Sequence, residues 1–199
     1  MKVKLDVRQG STFTFTFRWE TLPIVYKPIT AIVKQAPARI TCTAHGLVTG
    51  WRAAVVSVLG MTQINAEDSP PRDSQYHPVT VIDTNTVEIN AINAAEFSPY
   101  VSGGYLQYNT PVDLTSYEAR MKVKDRVGGT QLLLLDSTTN NRIAVNAATK
   151  TITLTLTAVE TAAITFTKGV YDLELVSPTG VVTPIAEGAF TVSKEITTT

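Results

Sequence analysis

The sequence predicts an all-β protein built as a sandwich or a barrel. Segments in which apolar and polar residues alternate recur along the chain, and turn-forming stretches such as DRVGGT (125–130) and SPTG (177–180) separate them at short intervals. A period of two places alternate side chains on opposite faces of a strand. Many short strands with frequent turns are typical of sandwiches and barrels.

The first strong strand signal carries an aromatic residue at every second position. In STFTFTFRWE (11–20), Phe13, Phe15, Phe17 and Trp19 alternate with threonine and arginine. Each ring can bury roughly 150–250 Å², so covering this face is worth several kcal/mol at about 25 cal/mol/Å². We expect it to pack against the apolar faces of later strands, through Tyr117, Met121, Val123, Leu154, Leu156, Tyr171, Leu173 and Leu175.

The other clear alternating segments lie near the two ends of the chain. They are VKLDV (3–7), YEARMKVKDR (117–126), TITLTLT (151–157), YDLELVS (171–177) and VVTPIAEGAFTVS (181–193). After the segment at 151–157, Thr157 and Glu160 have the spacing of a capping box. This predicts a short helix that crosses to the segment at 171–177.

The middle of the chain has a different character, with more prolines, longer loops and shorter strands. Its strand candidates are ITAIVK (29–34), RITCTA (39–44), AAVVSV (53–58), PVTVID (78–83) and TVEINAI (86–92). Residues 29–111 hold four basic and six acidic residues, whereas the whole chain has 17 of each sign. We therefore predict a discontinuous sandwich of residues 1–28 and 112–199, with a small β-barrel of residues 29–111 inserted at its first hairpin.

Charge and composition limit the classes of partner. The net charge is zero, so a nucleic-acid partner is not expected. The single cysteine excludes an internal disulfide framework. MKVKLDVRQG lacks the apolar core of a signal peptide, and no stretch approaches about 20 apolar residues, so we expect no membrane partner.

Residues 29–111 resemble a small β-barrel module of bacteriophage tail proteins. The matching pieces are ITAIVKQAPARITCTAHGLVTGWRAAVVSVLGM, PVTVIDTNTVEI and FSPYVSGGYLQY. The usual module runs from a Gly-Met-Thr-x-Leu-Asn turn directly into a tyrosine-containing strand. Here Ile64-Asn65 is followed by the longer polar loop AEDSPPRDSQYHPV.

The flanking residues resemble the immunoglobulin-like N-terminal domain of phage baseplate and minor tail proteins. The matching pieces are RQGSTFTFTFRW, PVDLTSYEARMKVKD, ITLTLTAVETAAI and GVYDLELVSPTGVVTPIAEGAFTVSKEIT. Together the two resemblances imply an immunoglobulin-like β-sandwich with an inserted small β-barrel, and a structural role in a virion.

The implied location is the tail of a virion, as part of a baseplate, tail tip or neck, for a protein that is made in the host cytoplasm. The implied partners are other tail, baseplate or neck proteins and further copies of the chain, in a trimer, hexamer or dodecamer. The chain stops at ITTT without a fibre part, which favours an adaptor over a receptor-binding protein.

The loop AEDSPPRDSQYHP (66–78) is the predicted partner contact. Its candidate contact residues are Glu67, Asp68, Arg72, Asp73 and Tyr76. Loops longer than about 12 residues without structure of their own are usually functional or disordered. Arginine and tyrosine are also enriched where interfaces concentrate binding energy. Disorder until assembly is the alternative interpretation.

No motif predicts catalysis, a metal or a cofactor. His45, in the turn AHGL, is expected to be a hydrogen-bonded turn residue, and His77 to be solvated. Cys42 is expected to pack as a small hydrophobe, because Cys42-x-x-His45 lacks the second pair that a structural zinc site needs. The carboxylates of the loop at 66–78 lack the spacing of a calcium loop. We therefore expect a protein that is not an enzyme.

A basic run alternates along one predicted strand through Arg120, Lys122, Lys124 and Arg126. The simplest interpretation is a solvated sheet face, or an edge protected by charge against aggregation. An acidic neighbour and nucleic acid are the alternatives.

Three other functions remain open from the sequence. A host-surface binding module would recognise carbohydrate or protein through aromatic residues in the insert, of which the candidates are Trp51, Tyr76, Tyr100, Tyr105 and Tyr108. A head decoration protein would share the β-rich composition. A hydrolase of cell-wall or capsule polymer would need paired carboxylates in a cleft, and no convincing pair is present.

Overall fold

The computed structural model describes residues 1–196 and confirms the all-β fold class. Besides the strands, these residues form one α-helix, α1 (Ala158–Ala162), and two 3-10 helices, Thr62–Ile64 and Asp73–Gln75. The strands are β1 (Leu5–Arg8), β2 (Phe13–Phe17), β3 (Glu20–Pro28), β4 (Ala31–Val33), β5 (Ala38–Thr41), β6 (Arg52–Leu59), β7 (His77–Asp83), β8 (Thr86–Ile89), β9 (Ser102–Pro111), β10 (Glu118–Lys124), β11 (Gln131–Asp136), β12 (Ile143–Asn146), β13 (Thr151–Leu156), β14 (Lys168–Val176) and β15 (Val182–Ser193).

The chain divides into two compact units. The first unit contains residues 1–19 and the chain from Asp113 onwards, and the second unit is the contiguous segment Glu20–Val112. The predicted boundary after residue 28 differs from this division, because β3 pairs with β9 of the second unit from Glu20↔Pro111 to Pro28↔Tyr105. The structure therefore places residues 20–28 with the insert.

The first unit is a sandwich of two sheets. One sheet has the strand order β1-β15-β14-β10-β11, and the other has the order β12-β13-β2. The rings of Phe13 on β2 and Phe190 on β15 meet edge to face at 6.5 Å, so the aromatic face of β2 packs against the five-stranded sheet. Trp19 meets Tyr117, one of the predicted partners, at 6.0 Å.

The N-terminal strand joins the sandwich in an orientation that the sequence pattern did not predict. β1 pairs in parallel with β15, from Leu5↔Phe190 to Arg8↔Ser193. Gly188 permits this close approach, because a Cβ at that position would collide with the carbonyl oxygen of Val3.

Helix α1 crosses between β13 and β14, as the sequence predicts, and these strands belong to the two different sheets of the sandwich. Thr157 Oγ1 accepts the backbone N–H of Glu160 at 3.2 Å, and Glu160 Oε2 accepts the backbone N–H of Thr157 at 2.8 Å. This is the predicted capping box. Arg142 Nε also donates to Glu160 Oε1 at 2.7 Å, which ties the helix to the chain ahead of β12.

The second unit is a seven-stranded sheet with the order β3-β9-β6-β7-β8-β5-β4. β3 and β4 lie at opposite ends of this order, yet only Ile29 and Thr30 separate them in the chain. Two residues span about 11 Å between the strand ends at most, so the two edges of the sheet approach each other there. Trp51 and Leu106 are fully buried in the core of this unit.

Candidate partner-contact site

The predicted contact loop joins β6 to β7 in the second unit and has a defined structure. It contains the 3-10 helix Asp73–Gln75, and its last two residues, His77 and Pro78, begin β7. The Gln75 side chain closes this turn by accepting the backbone N–H of Arg72 at 2.9 Å. Arg72 also pairs with Asp68 at 3.1 Å. Side chains of the loop therefore stabilise its conformation locally.

Arg52, the first residue of β6, holds the loop to the sheet. Its Nε and Nη2 donate to the two carboxylate oxygens of Glu20 at 2.6 and 2.8 Å. Its Nη1 donates to Oδ1 of Asp73 at 2.7 Å. Asn109 Nδ2 also donates to Glu20 at 2.9 Å. The hydrogen bonds with Glu20, and secondly the Asp73 carboxylate, raise the pKa of Arg52 above its ordinary value. One guanidinium thus links the edge strand β3 to the contact loop.

Tyr76 makes the second attachment of the loop. Its hydroxyl accepts a hydrogen bond from Nε2 of the buried Gln107 at 2.6 Å. Its ring lies under the Arg52 guanidinium, 5.6 Å from the ring centroid, in a cation–π arrangement. Burial raises the pKa of Tyr76. Tyr76 therefore fixes the loop to the sheet.

The five predicted contact residues have two different environments. The structure brings Asp73 and Tyr76 together around Arg52. Glu67, Asp68 and Arg72 instead line a polar cleft of about 460 Å³. Other side chains that line the cleft are Gln63, Gln75, His77, Asn93 and Phe97. This cleft offers carboxylate, guanidinium, imidazole and amide groups to a partner, beside the ring of Phe97.

A pair of half-exposed tyrosines lies on the same sheet face as Gln107. Tyr26 on β3 is opposite Gln107 in register, and Tyr105 precedes it by two residues on β9. Their rings meet edge to face at 6.2 Å, and 52% and 42% of the two residues remain exposed. The tyrosine pair therefore presents apolar surface beside the attachment point of the loop.

The structure separates the aromatic candidates of the insert. Trp51 and Tyr108 are buried in the core. The Tyr100 hydroxyl donates to the carbonyl oxygens of Ile29 and Gly103, both at 3.0 Å. Tyr105 remains exposed. The sequence does not single out Tyr26, which lies between Pro23 and Pro28 in a segment predicted to belong to the sandwich.

His45 and Cys42 have the structural roles that the sequence predicts. His45 is buried, with Nε2 bonded to the carbonyl oxygen of Asp83 at 2.8 Å and Nδ1 accepting the N–H of Leu47 at 3.0 Å. Cys42 is fully buried, and burial raises the pKa of its thiol to about 11. In residues 1–196, no three His, Cys, Asp or Glu side chains are grouped so that they could hold a metal ion.

The basic run lies on the outer face of the first unit's five-stranded sheet, beside an acidic strand. In register, Arg120 on β10 is opposite Glu174 on β14, and Lys122 is opposite Asp172. Arg120 Nε donates to Glu174 Oε2 at 2.8 Å. The neighbour of the basic run in its own sheet is therefore acidic, as one of the sequence alternatives proposed. These strands line a groove of about 720 Å³.

Comparison with known proteins adds no relative. No protein-family model and no curated protein sequence matches this chain. Of the helices in the described part of the chain, none has the length and apolar character needed to span a membrane. The contact loop, the tyrosine pair and the groove are the features from which a function is inferred.

Proposed function

We propose that this protein is a structural component of a tailed-phage virion, in the baseplate, tail tip or neck, and that it acts by protein–protein assembly. The observation that carries the proposal is the pre-organised contact loop. Arg52 and Gln107 attach the Asp73 and Tyr76 end of this loop to the sheet, and Glu67 and Asp73 remain exposed. A surface that is ordered before binding loses less conformational entropy when a partner docks.

Features of each unit support the two resemblances on which the proposal draws. Packing of Phe13 against Phe190 between two sheets fits an immunoglobulin-like sandwich. The two-residue connection between β3 and β4 fits a small barrel, because it brings together the two edges of the seven-stranded sheet. The contact loop is the part of the second unit that departs from the usual tail module, so it is suited to a contact specific to this protein.

The proposed assembly is a closed ring or bundle of this chain, as a trimer, hexamer or dodecamer, with other tail, baseplate or neck proteins bound to it. Closed symmetry is the rule for homo-oligomers. The exposed pair of Tyr26 and Tyr105 supports an interface on the second unit, because tyrosine is enriched at the centre of protein interfaces.

The proposed role is non-enzymatic and uses no cofactor. Several groups suited to acid–base chemistry are engaged in structural contacts. Both ring nitrogens of His45 bond to backbone atoms. Each of four partly buried glutamates pairs with an arginine, and they are Glu20, Glu88, Glu160 and Glu174.

The direct genetic test is to make phage particles without this protein. An amber mutation in its gene should yield lysates with incomplete tails and no infectious particles, and supply of the wild-type protein in trans should restore them. Fully assembled and infectious particles that lack the protein would contradict a structural role.

A second candidate function is recognition of carbohydrate or protein on the host surface, through Tyr26 and Tyr105. Exposed aromatic rings beside polar groups suit sugar binding, and these rings flank Gln107 and Tyr76. The wild-type protein and a Tyr26→Ala/Tyr105→Ala variant would be compared on a glycan array and on host cells. Binding that only the wild type shows would favour this function, and silence of the wild type in both assays would remove it. A head decoration protein is the remaining alternative, which differs in its location on the particle.

A further inference from the structure

The groove on the outer face of the first unit is lined by charged side chains of both signs. Its cationic side chains are Lys2, Arg120, Lys122, Lys124 and Arg126, and its anionic ones are Asp172, Glu174 and Glu187. Arg120 pairs with Glu174 at 2.8 Å, and Arg126 pairs with its neighbour Asp125 at 3.2 Å. Among residues 1–196, no ion pair joins Lys122 or Lys124 to a carboxylate. The groove therefore contains a row of cations in which Lys122 and Lys124 form no ion pair within the described part of the chain.

The spacing of this row suits a polypeptide with carboxylates close together. Lys122 and Lys124 project from the same face of β10, and positions two apart on a strand are separated by about 7 Å. The acidic strand β14 borders the row, so a uniformly anionic ligand would meet Asp172 and Glu174 at its margin. A ligand that combines several carboxylates with a cation matches this pattern better.

The contact loop of the second unit carries this combination of charges. It holds three carboxylates, those of Glu67, Asp68 and Asp73, and the single guanidinium of Arg72, which pairs with Asp68 at 3.1 Å. Glu67 is exposed, and the Asp73 side chain is 86% exposed although Arg52 binds one of its oxygens. The Arg52–Asp73 contact and the Arg72–Asp68 pair restrain the loop at two points, which limits the arrangements that its charges can adopt.

The two units also carry net charges of opposite sign. Residues 20–112 hold five basic and seven acidic residues, which leaves twelve basic and ten acidic residues for the first unit out of 17 of each sign. A neutral chain with one basic and one acidic unit favours contacts in which the first unit of one copy meets the second unit of another. Such heterologous contacts close into rings when the rotation between copies permits.

We propose that the groove of the first unit binds the contact loop of a second copy of this chain, with Lys122 and Lys124 facing the carboxylates of that loop. This inference rests on the proposed assembly role and names the partner of the contact loop. It concerns self-association alone, so it can fail while the protein is still found on virions.

The test is sedimentation velocity of the full-length protein over a range of concentrations, at about 50 mM and about 500 mM NaCl. The wild type should self-associate at low salt and dissociate at high salt. Lys122→Glu, in the groove, and Glu67→Lys, in the loop, should each raise the dissociation constant about tenfold. Lys194→Glu reverses an exposed cation of the first unit that does not line the groove, so it should leave the constant unchanged.

Mixing the two reversed variants distinguishes this contact from a general effect of charge. The groove of the Lys122→Glu protein should accept the loop of the Glu67→Lys protein, so the mixture should associate more tightly than either variant alone. A wild type that is monomeric at both salt concentrations would overturn the inference. The same conclusion would follow if either variant behaved like the wild type, or if the mixture showed no recovery. Localisation of the protein on virions tests the proposed function separately.

Discussion

Asp136 organises the loop that carries the chain from one sheet of the sandwich to the other, between β11 and β12. Its Oδ1 accepts the backbone N–H groups of Thr138 at 2.9 Å, Thr139 at 2.6 Å and Asn140 at 3.2 Å. Its Oδ2 accepts the hydroxyl of Thr139. These hydrogen bonds, with the Thr139 hydroxyl first, hold the pKa of the Asp136 carboxyl well below its ordinary value. The ionised carboxylate is therefore the form that the fold stabilises.

We predict that Asp136→Asn lowers the free energy of unfolding by about 1–2 kcal/mol at neutral pH, since neutral acceptors bind N–H groups more weakly. Because folding lowers the pKa of Asp136, its carboxylate contributes fully to the free energy of unfolding at a pH above the ordinary aspartate pKa. This contribution is lost as the pH falls below about 4 towards the folded-state pKa. Denaturant unfolding at about pH 7 and about pH 3 should show the difference between wild type and variant shrink at the lower pH.

The exposed Glu118 supplies the control for this experiment, because Glu118→Gln should change stability little at either pH. A stability difference for Asp136→Asn that stays constant with pH would contradict the role assigned to its carboxylate.

Arg52 is the residue on which the order of the contact loop depends. Arg52→Lys keeps the charge but cannot bind Glu20 through two nitrogens and Asp73 through a third. We expect Arg52→Lys to lower the free energy of unfolding by about 1–2 kcal/mol, because the network is only partly exposed. Amide exchange should also become faster at Gln75, whose N–H bonds to the carbonyl oxygen of Arg72 at 2.9 Å.

The matched variant is Arg72→Lys. The Arg72 side chain is 75% exposed in its pair with Asp68, so this change should have little effect on stability. Equal exchange rates at Gln75 in the wild type and in Arg52→Lys would show that Arg52 does not fix the loop.

Among the elements, alternation in the sequence located most strands that bury one face, and the strands that it missed include β3 and β11, which depart from this pattern. β2 and helix α1 were predictable, since period-two aromatics and the Thr157–Glu160 spacing are local signals. β3 was missed because Pro23 and Pro28 suggest a break. In the structure it is an edge strand with a bulge between Thr21 and Ile24, where proline is tolerated.

β11 was missed for a different reason. Its sequence QLLLLD is a continuous apolar run, and periodicity cannot distinguish such a run from a buried helix segment. The turn ahead of it was recognised, and the structure pairs Lys124 with Gln131 across that turn.

The candidate site was predictable only in part. Length and composition were enough to single out the contact loop. The sequence did not predict the attachments of this loop to the sheet. Arg52 binds Glu20 across a sequence separation of 32 residues, and Tyr76 binds Gln107 across 31. Contacts at such separations depend on the pairing of strands, for which a single sequence carries no local signal.

The aromatic strand β2 makes a testable contribution to the sandwich. Phe17 is buried and lies opposite Ile152 in register, and its ring contacts that of Phe15 at 4.7 Å. We expect Phe17→Ala to cost about 3–5 kcal/mol, through lost burial and the cavity that remains. Thermal or denaturant unfolding would measure this loss.

Thr16 provides the control on the opposite face of the same strand. It is exposed and shares only a 3.2 Å hydroxyl contact with Thr153, so Thr16→Ala should cost less than about 1 kcal/mol. Comparable losses for Phe17→Ala and Thr16→Ala would contradict the assignment of the aromatic face to the core.

At the scale of the whole molecule, the second unit has the properties of a self-contained insert. Glu20 and Pro111, close to its two ends, are paired in an antiparallel ladder, which keeps the ends about 5 Å apart. Its buried core cluster is built from residues between Ile29 and Tyr108 alone. Both features allow the segment to fold without the rest of the chain.

We therefore predict that the isolated segment 20–112 folds by itself. Its NMR spectrum should show dispersed amide signals, and its thermal unfolding should be cooperative. A Trp51→Ala version of the segment is the control, because loss of this fully buried ring should abolish the transition or lower its midpoint strongly. Collapsed amide dispersion in the unmutated segment would show that the second unit depends on the first.

We propose that this β-sandwich, with its inserted second unit, is part of a phage particle. Immunogold electron microscopy of intact virions, from a lysate that contains the protein, would test its location. We predict gold at the tail, at its tip, baseplate or neck. Gold on the capsid would favour decoration of the head. Unlabelled particles, with the protein free in the lysate, would contradict the structural role.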